Sequence, residues 1–201
     1  FAYMSESLLI IPNWYTLILY CCNYFFEGYK MEDRPYIIRE FDKCCSITDI
    51  IRAQNLALIN KVLEQKIIEA NSYIATQLEL PLASKLFYLK RLRIVEGEPR
   101  SVENNYFNLD EVRGMETIDF NNISFFSEVY KHKGIRKLRS EQEILIVEAD
   151  DEERKLLQLN ENDQEIMLIK GVSIKEDNRP FEYFEISSDL EFYRFRSASR
   201  L

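Results

Sequence analysis

The sequence predicts an α+β protein with a largely antiparallel sheet covered by helices. Three observations predict it. Two pairs of strand-like runs are each joined by a short turn: Lys85–Val95 with Arg100–Phe107, and Glu165–Lys175 with Phe181–Ser187. Helical stretches stand between these pairs and not inside them. The order is therefore helix, hairpin, helix, strand, helix, hairpin, strand, unlike the strict strand–helix alternation of a parallel sheet. The chain has 201 residues, of which 46% are hydrophobic and 13% aromatic, enough for one domain with a real core, or one domain with an appendage.

Each element follows from its own residues. Ser46–Ile51 reads as a helix start, with Ser46 as cap and Asp49 in the first turn. Lys61–Leu78 carries Val62, Leu63, Ile67, Ile68, Ala70, Ile74 and Leu78, a stripe that predicts an amphipathic helix ended by Pro81. The first hairpin turn contains Gly97 and Pro99, and a loop of Glu96–Glu98 sets Arg91 opposite Glu103. Ile123–Tyr130 reads as a short helix ending before Gly134. Glu141–Glu148 reads as a strand. Asp151–Leu159 reads as a helix opened by a run of acids, with Leu156, Leu157 and Leu159 packed inward. Glu176–Arg179 makes the turn of the second hairpin, and Glu191–Ser197 is a last short strand rich in aromatics.

Residues before 46 are of a different character. Ser7–Phe26 holds no charged residue and has the length of a membrane span. Pro12, Asn13 and Asn23 interrupt it, and it lacks the basic flank of a signal peptide. We read it as a packed extension, with a membrane or interfacial segment as the minor alternative. Glu27–Lys43 is charged, contains Pro35 and reads as a linker.

Charge and cysteines narrow the function classes. The net charge of -8 argues against a free-standing nucleic-acid binder. Arg194, Arg196 and Arg200 form a local basic cluster that reads as a solvated tail. Cys21–Cys22 and Cys44–Cys45 have neither zinc nor redox spacing, so no metal is expected and reduced thiols in a cytoplasmic protein are the reading. His132, the single histidine, sits at a helix end and is a weak catalytic candidate.

The chemistry concentrates at Lys90–Phe107. Strand residues two apart share a face, so Arg91 and Arg93 project together with Phe87 and Leu89. Paired guanidinium groups beside apolar residues suit the grip of an anion. The plainer alternative is that Arg91 pairs with Glu103 and satisfies a polar sheet face.

From Ser46 to Phe195 the chain resembles the UTRA domain, the effector-sensing half of GntR-type transcription regulators of the HutC subfamily. Four segments carry the resemblance: FYLKRLRIVEGEPRSVENNYF, SFFSEVYKHKGI, RSEQEILIVEADDEERKLLQL, and IMLIKGVSIKEDNRPFEYFE with the closing FYRF. The resemblance implies a chorismate-lyase-like fold, a small anionic effector such as a sugar phosphate, no cofactor, and homodimerisation through this domain. It implies effector-binding roles for Arg91, Arg93, Glu103, Ser124 and Glu182. Two positions depart from the family. Phe126 stands where relatives often carry a tyrosine, and Ser188 stands near where relatives commonly carry a tyrosine that helps close the pocket; both join the candidate site. The family's Asp-Arg-Tyr ending is here Glu191-Phe192-Tyr193. The winged helix-turn-helix head of the family is not recognisable in residues 1–45, so residues 46–201 are the UTRA-like domain and DNA binding belongs to an attached head. An enzyme of chorismate-lyase type is the alternative on this fold. It finds no nucleophile–base pair, metal cluster or glycine-rich phosphate loop in the sequence.

Overall fold

The structure, a computed structural model, describes residues 34–40, 46–135 and 137–197. The extension read at Ser7–Phe26 and all four cysteines lie outside the described residues, as does Arg200. Among the described residues no helix is long and apolar enough to cross a membrane.

Residues 35–201 form one compact unit. Its elements in order are β1 (Ile37–Glu40), α1 (Ile47–Ala53), β2 (Leu58–Glu69), α2 (Ser72–Gln77), β3 (Lys85–Val95), β4 (Glu98–Asn108), α3 (Leu109–Val112), a 3-10 turn (Met115–Thr117), α4 (Phe125–Lys133), β5 (Lys137–Glu148), α5 (Asp151–Leu157), β6 (Glu165–Lys175), β7 (Pro180–Ser188) and β8 (Tyr193–Arg196). Six strands make one antiparallel sheet in the order β2-β3-β4-β7-β6-β5. β1 and β8 make a separate parallel pair. The α+β class and the two hairpins hold.

The helix predicted over Lys61–Leu78 is not there. Residues 58–69 are a strand, and only Ser72–Gln77 is helical, capped by Asn71. The reason is a bulge between Val62 and Glu64. A bulge breaks the two-residue alternation, so apolar side chains at 62, 63, 67 and 68 fall on both faces and imitate helical spacing. Val62 then packs under α4, while Leu63 and Ile68 serve the opposite face. The predicted linker also needs correcting, because Ile37–Glu40 is a strand held by Tyr193–Arg196 from the far end of the chain.

The β3–β4 hairpin reaches its predicted register by a different route. The turn has two residues, Glu96 at φ 53 and Gly97 at φ 86, the positive pair that a tight hairpin turn needs. Ile94 pairs with Pro99 and Arg93 pairs with Ser101, so Arg100 is the extra residue of a bulge. One turn residue fewer and one bulge residue more leave Arg91 opposite Glu103.

Both faces of the sheet are covered. On one face α3, α4 and the 3-10 turn bury Phe87, Phe107, Phe120, Phe125 and Phe181. Further along that face α1, β1 and β8 bury Ile37, Ile51, Phe184, Ile186 and Phe192. The other face packs against α2 and α5. α5 holds a complete capping box, Asp150 with Glu153.

Candidate functional site

Between the two apolar clusters of the first face the sheet turns polar. Alternate residues of three neighbouring strands project there: Arg91 and Arg93 from β3, Glu103 and Asn105 from β4, and Glu182, Phe184 and Ile186 from β7. They line a cavity with Arg39 of β1, Ser46, Ile47 and Thr48 at the start of α1, and Ser124, Phe125 and Phe126 at the start of α4. Its volume is about 50 Å³, on a measure where one water takes roughly 10–15 Å³.

The two arginines share Glu103 but differ in how much else they hold. Arg93 donates through Nε to Glu103 Oε1 and through Nη2 to Oε2 at 2.9 Å. Its Nη1 donates to Thr48 Oγ1 at 3.0 Å and to Asn60 Oδ1 at 2.9 Å. Arg93 is thus a strut between β3, β4, β2 and α1. Arg91 donates through Nη2 to Glu103 Oε2 at 3.2 Å and through Nη1, at a long 3.4 Å, to the carbonyl of Ile123. Its Nε is buried and has no hydrogen-bond partner among the described residues. Burial pushes the Arg91 guanidinium down to about 10, against the pull of Glu103, so it stays cationic at neutral pH. Burial alone would raise the Glu103 carboxyl, but Arg93 and Arg91 together hold it below the usual carboxylate range.

Glu182 accepts from Asn105 Nδ2 at 2.9 Å and from the Ser173 hydroxyl at 2.5 Å. The Asn105 side-chain oxygen, Oδ1, is buried without a hydrogen-bond partner among the described residues. Ser124 caps α4, its oxygen accepting from the Ser127 amide at 3.4 Å, which leaves the hydroxyl proton available. Phe126 lies edge-on to Phe125 at 6.0 Å and forms apolar wall.

Six of the seven predicted site residues line this cavity: Arg91, Arg93, Glu103, Ser124, Phe126 and Glu182. Ser188 does not. It is fully buried on β7 and donates to the carbonyl of Asp189 at 3.0 Å, one step of the strand beyond the wall formed by Phe184 and Ile186. Sequence reasoning missed Arg39, Thr48 and Asn105. Asn105 was within reach, since it stands two residues from Glu103 on the same face. Arg39 and Thr48 carry no such signal, because they arrive from elements far away in the chain.

A family profile described as UTRA domain matches residues 53–193. None of the curated proteins matches the chain. Among solved structures, the effector domain of PhnF from Mycobacterium smegmatis superposes with a TM-score of 0.73 at 19% identity, covering 81% of this chain and 100% of that one. The longer PhnF structure gives 0.75 at 19% identity, over 92% and 84% of the two chains. A GntR-family transcriptional regulator from Bacillus cereus gives 0.63 at 23% identity, over 71% and 99%.

Proposed function

Because the chain belongs to the UTRA domain family, we propose that residues 46–201, together with the strand β1, form the effector-binding domain of a GntR-type transcription regulator of the HutC subfamily. The cavity on the sheet receives a small anionic metabolite, of which a sugar phosphate is the type. The domain is a cytoplasmic receptor and not an enzyme. It works as a homodimer and acts on DNA through an attached winged helix-turn-helix head.

The observation that supports this most is Arg91. A buried guanidinium with an unmatched N–H is costly unless something completes it, and a phosphate or carboxylate does so. Ser124 and the first amides of α4 stand on the same wall and add donors for the same charge. Asn105 offers a bare acceptor for a ligand hydroxyl. Glu103 is saturated by the arginines and keeps the wall in place.

Calorimetry of the full chain against a panel of sugar phosphates and inorganic phosphate tests the reading. Arg91→Ala is expected to weaken binding of the best ligand by about 1.5–3 kcal/mol, the worth of a charge-assisted hydrogen bond. Arg91→Lys is expected to weaken it too, since the planar fork is lost. Equal affinity in the wild type and Arg91→Ala would refute the assignment.

A further inference from the structure

Arg100 is the largest of the fully buried side chains, at 1% exposure, and it lies outside the lining of the cavity. A buried ion pair is a weak source of stability, and an apolar side chain of similar volume often does as well. The surroundings of Arg100 give it another duty. The last rung between β4 and β7 pairs Ser101 with Ser188. Beyond that rung β7 ends, and the chain crosses to β8 through residues 189–192. Arg100, the bulge residue of β4, stands beside this crossing. A bulge re-aims a side chain, and here the guanidinium is turned onto the Phe192 ring, 5.3 Å from its centroid. Nη2 lies 3.2 Å from Asp189 Oδ1, and Nη1 lies 3.5 Å from Glu98 Oε2 at the hairpin turn. Nε is buried with no hydrogen-bond partner among the described residues. Asp189 Oδ1 also accepts from the Glu191 amide at 3.0 Å and so shapes the crossing.

From Phe192 the contacts lead to the cavity. Its carbonyl accepts from the Ile37 amide at 2.8 Å, where β1 and β8 begin to pair. Two residues along β1, Arg39 stands opposite Phe195, holds its guanidinium 5.8 Å from the ring centroids of Tyr193 and Phe195, and lines the cavity. The β1–β8 pair is separate from the six-stranded sheet. Its seat over that sheet therefore depends on side chains, and Arg100 is the charged one at its root.

We propose that Arg100 is a positioning residue for the effector cavity: it clamps the β7–β8 crossing to the β3–β4 hairpin, and through β8 it holds β1 and Arg39 at the cavity wall. The charge supplies registration where packing alone permits sliding. An apolar side chain at 100 would cover Phe192 from many angles, whereas the guanidinium must meet the ring, Asp189 and Glu98 together. This rests on the effector reading of the cavity and adds to it a distant residue that sets its affinity.

Hydrogen exchange and phosphate calorimetry on the full chain test it. Arg100→Met keeps much of the volume and removes the charge. It is expected to speed amide exchange at least roughly tenfold in residues 37–40 and 193–196, while β3, β4, β6 and β7 hold their protection. It is expected to weaken binding of inorganic phosphate about threefold to thirtyfold, the range of coupling carried through a packed network. In an Arg39→Ala background the same substitution is expected to change that affinity no further, because the wall it positions is already gone. A role confined to core packing predicts otherwise: exchange rising across all strands, and the two substitutions adding. Either of those results overturns the proposal, as does unchanged exchange in β1 and β8 or an affinity that Arg100→Met leaves unaltered. If Arg100→Met fails to fold, Asp189→Asn, which removes only the partner charge, is expected to give the same pattern and decides in its place. If the wild type binds neither inorganic phosphate nor any of the sugar phosphates, it is the effector reading that has failed, and the exchange pattern alone decides the clamp.

Discussion

Arg91 and Arg93 stand two residues apart on β3 and share one carboxylate, yet removing them has different consequences. Arg93 ties four elements together through Glu103, Thr48 and Asn60. Arg93→Ala leaves a buried Glu103 half-paired and is expected to cost about 3–5 kcal/mol of stability, whereas Arg91→Ala is expected to show itself chiefly in binding. Glu103 adds a pH dependence with a definite sign. Its folded value is depressed below the unfolded one, near ~4.3. Its stabilising contribution is therefore complete above the unfolded value and is lost as pH falls through the folded value. Glu103→Gln is expected to be less stable at neutral pH and to lose stability less steeply on acidification. Urea unfolding between about pH 2.5 and 7 measures both, and parallel acid limbs in the two proteins would contradict it.

At the scale of elements, the sheet depends on a few backbone devices. The β3 face that carries the arginines is in register because a two-residue turn and the bulge at Arg100 offset each other. β5 approaches β6 closely only because Gly171 lies opposite Gln142. A Cβ at Gly171 would stand 2.1 Å from the Glu141 carbonyl oxygen and 2.8 Å from the Gln142 Cα, both backbone. Gly171→Ala must push the strands apart and is expected to cost about 1–3 kcal/mol. Amide exchange should rise along β5 while β3 and β4 stay protected. Unchanged protection of β5 would show that the strand tolerates the shift. β2 shows why sequence periodicity fails locally: a one-residue bulge turned a strand's alternation into an apparent helical stripe.

For the whole molecule, the cavity exists because segments remote in the chain meet over one face of the sheet. β1 brings Arg39 to the wall and buries Ile37 completely, through pairing with β8 more than a hundred residues away. A fragment starting at Pro35 is therefore expected to unfold cooperatively, and one starting at Ser46 to be less stable by about 2–5 kcal/mol, the cost of emptying such a core position. Equal urea midpoints for the two fragments would show β1 to be dispensable. The α+β class, both hairpins, the cap at Ser46 and the Arg91–Glu103 pairing were legible in the amino-acid order. They rest on local rules, namely alternation, turn residues and cap chemistry, which act within a few residues. The strand nature of β2, the place of β1, the roles of Arg39, Thr48 and Asn60, and the unequal duties of Arg91 and Arg93 were decided only by the tertiary structure. Each depends on which remote backbone supplies the partner, and local periodicity carries no information about that.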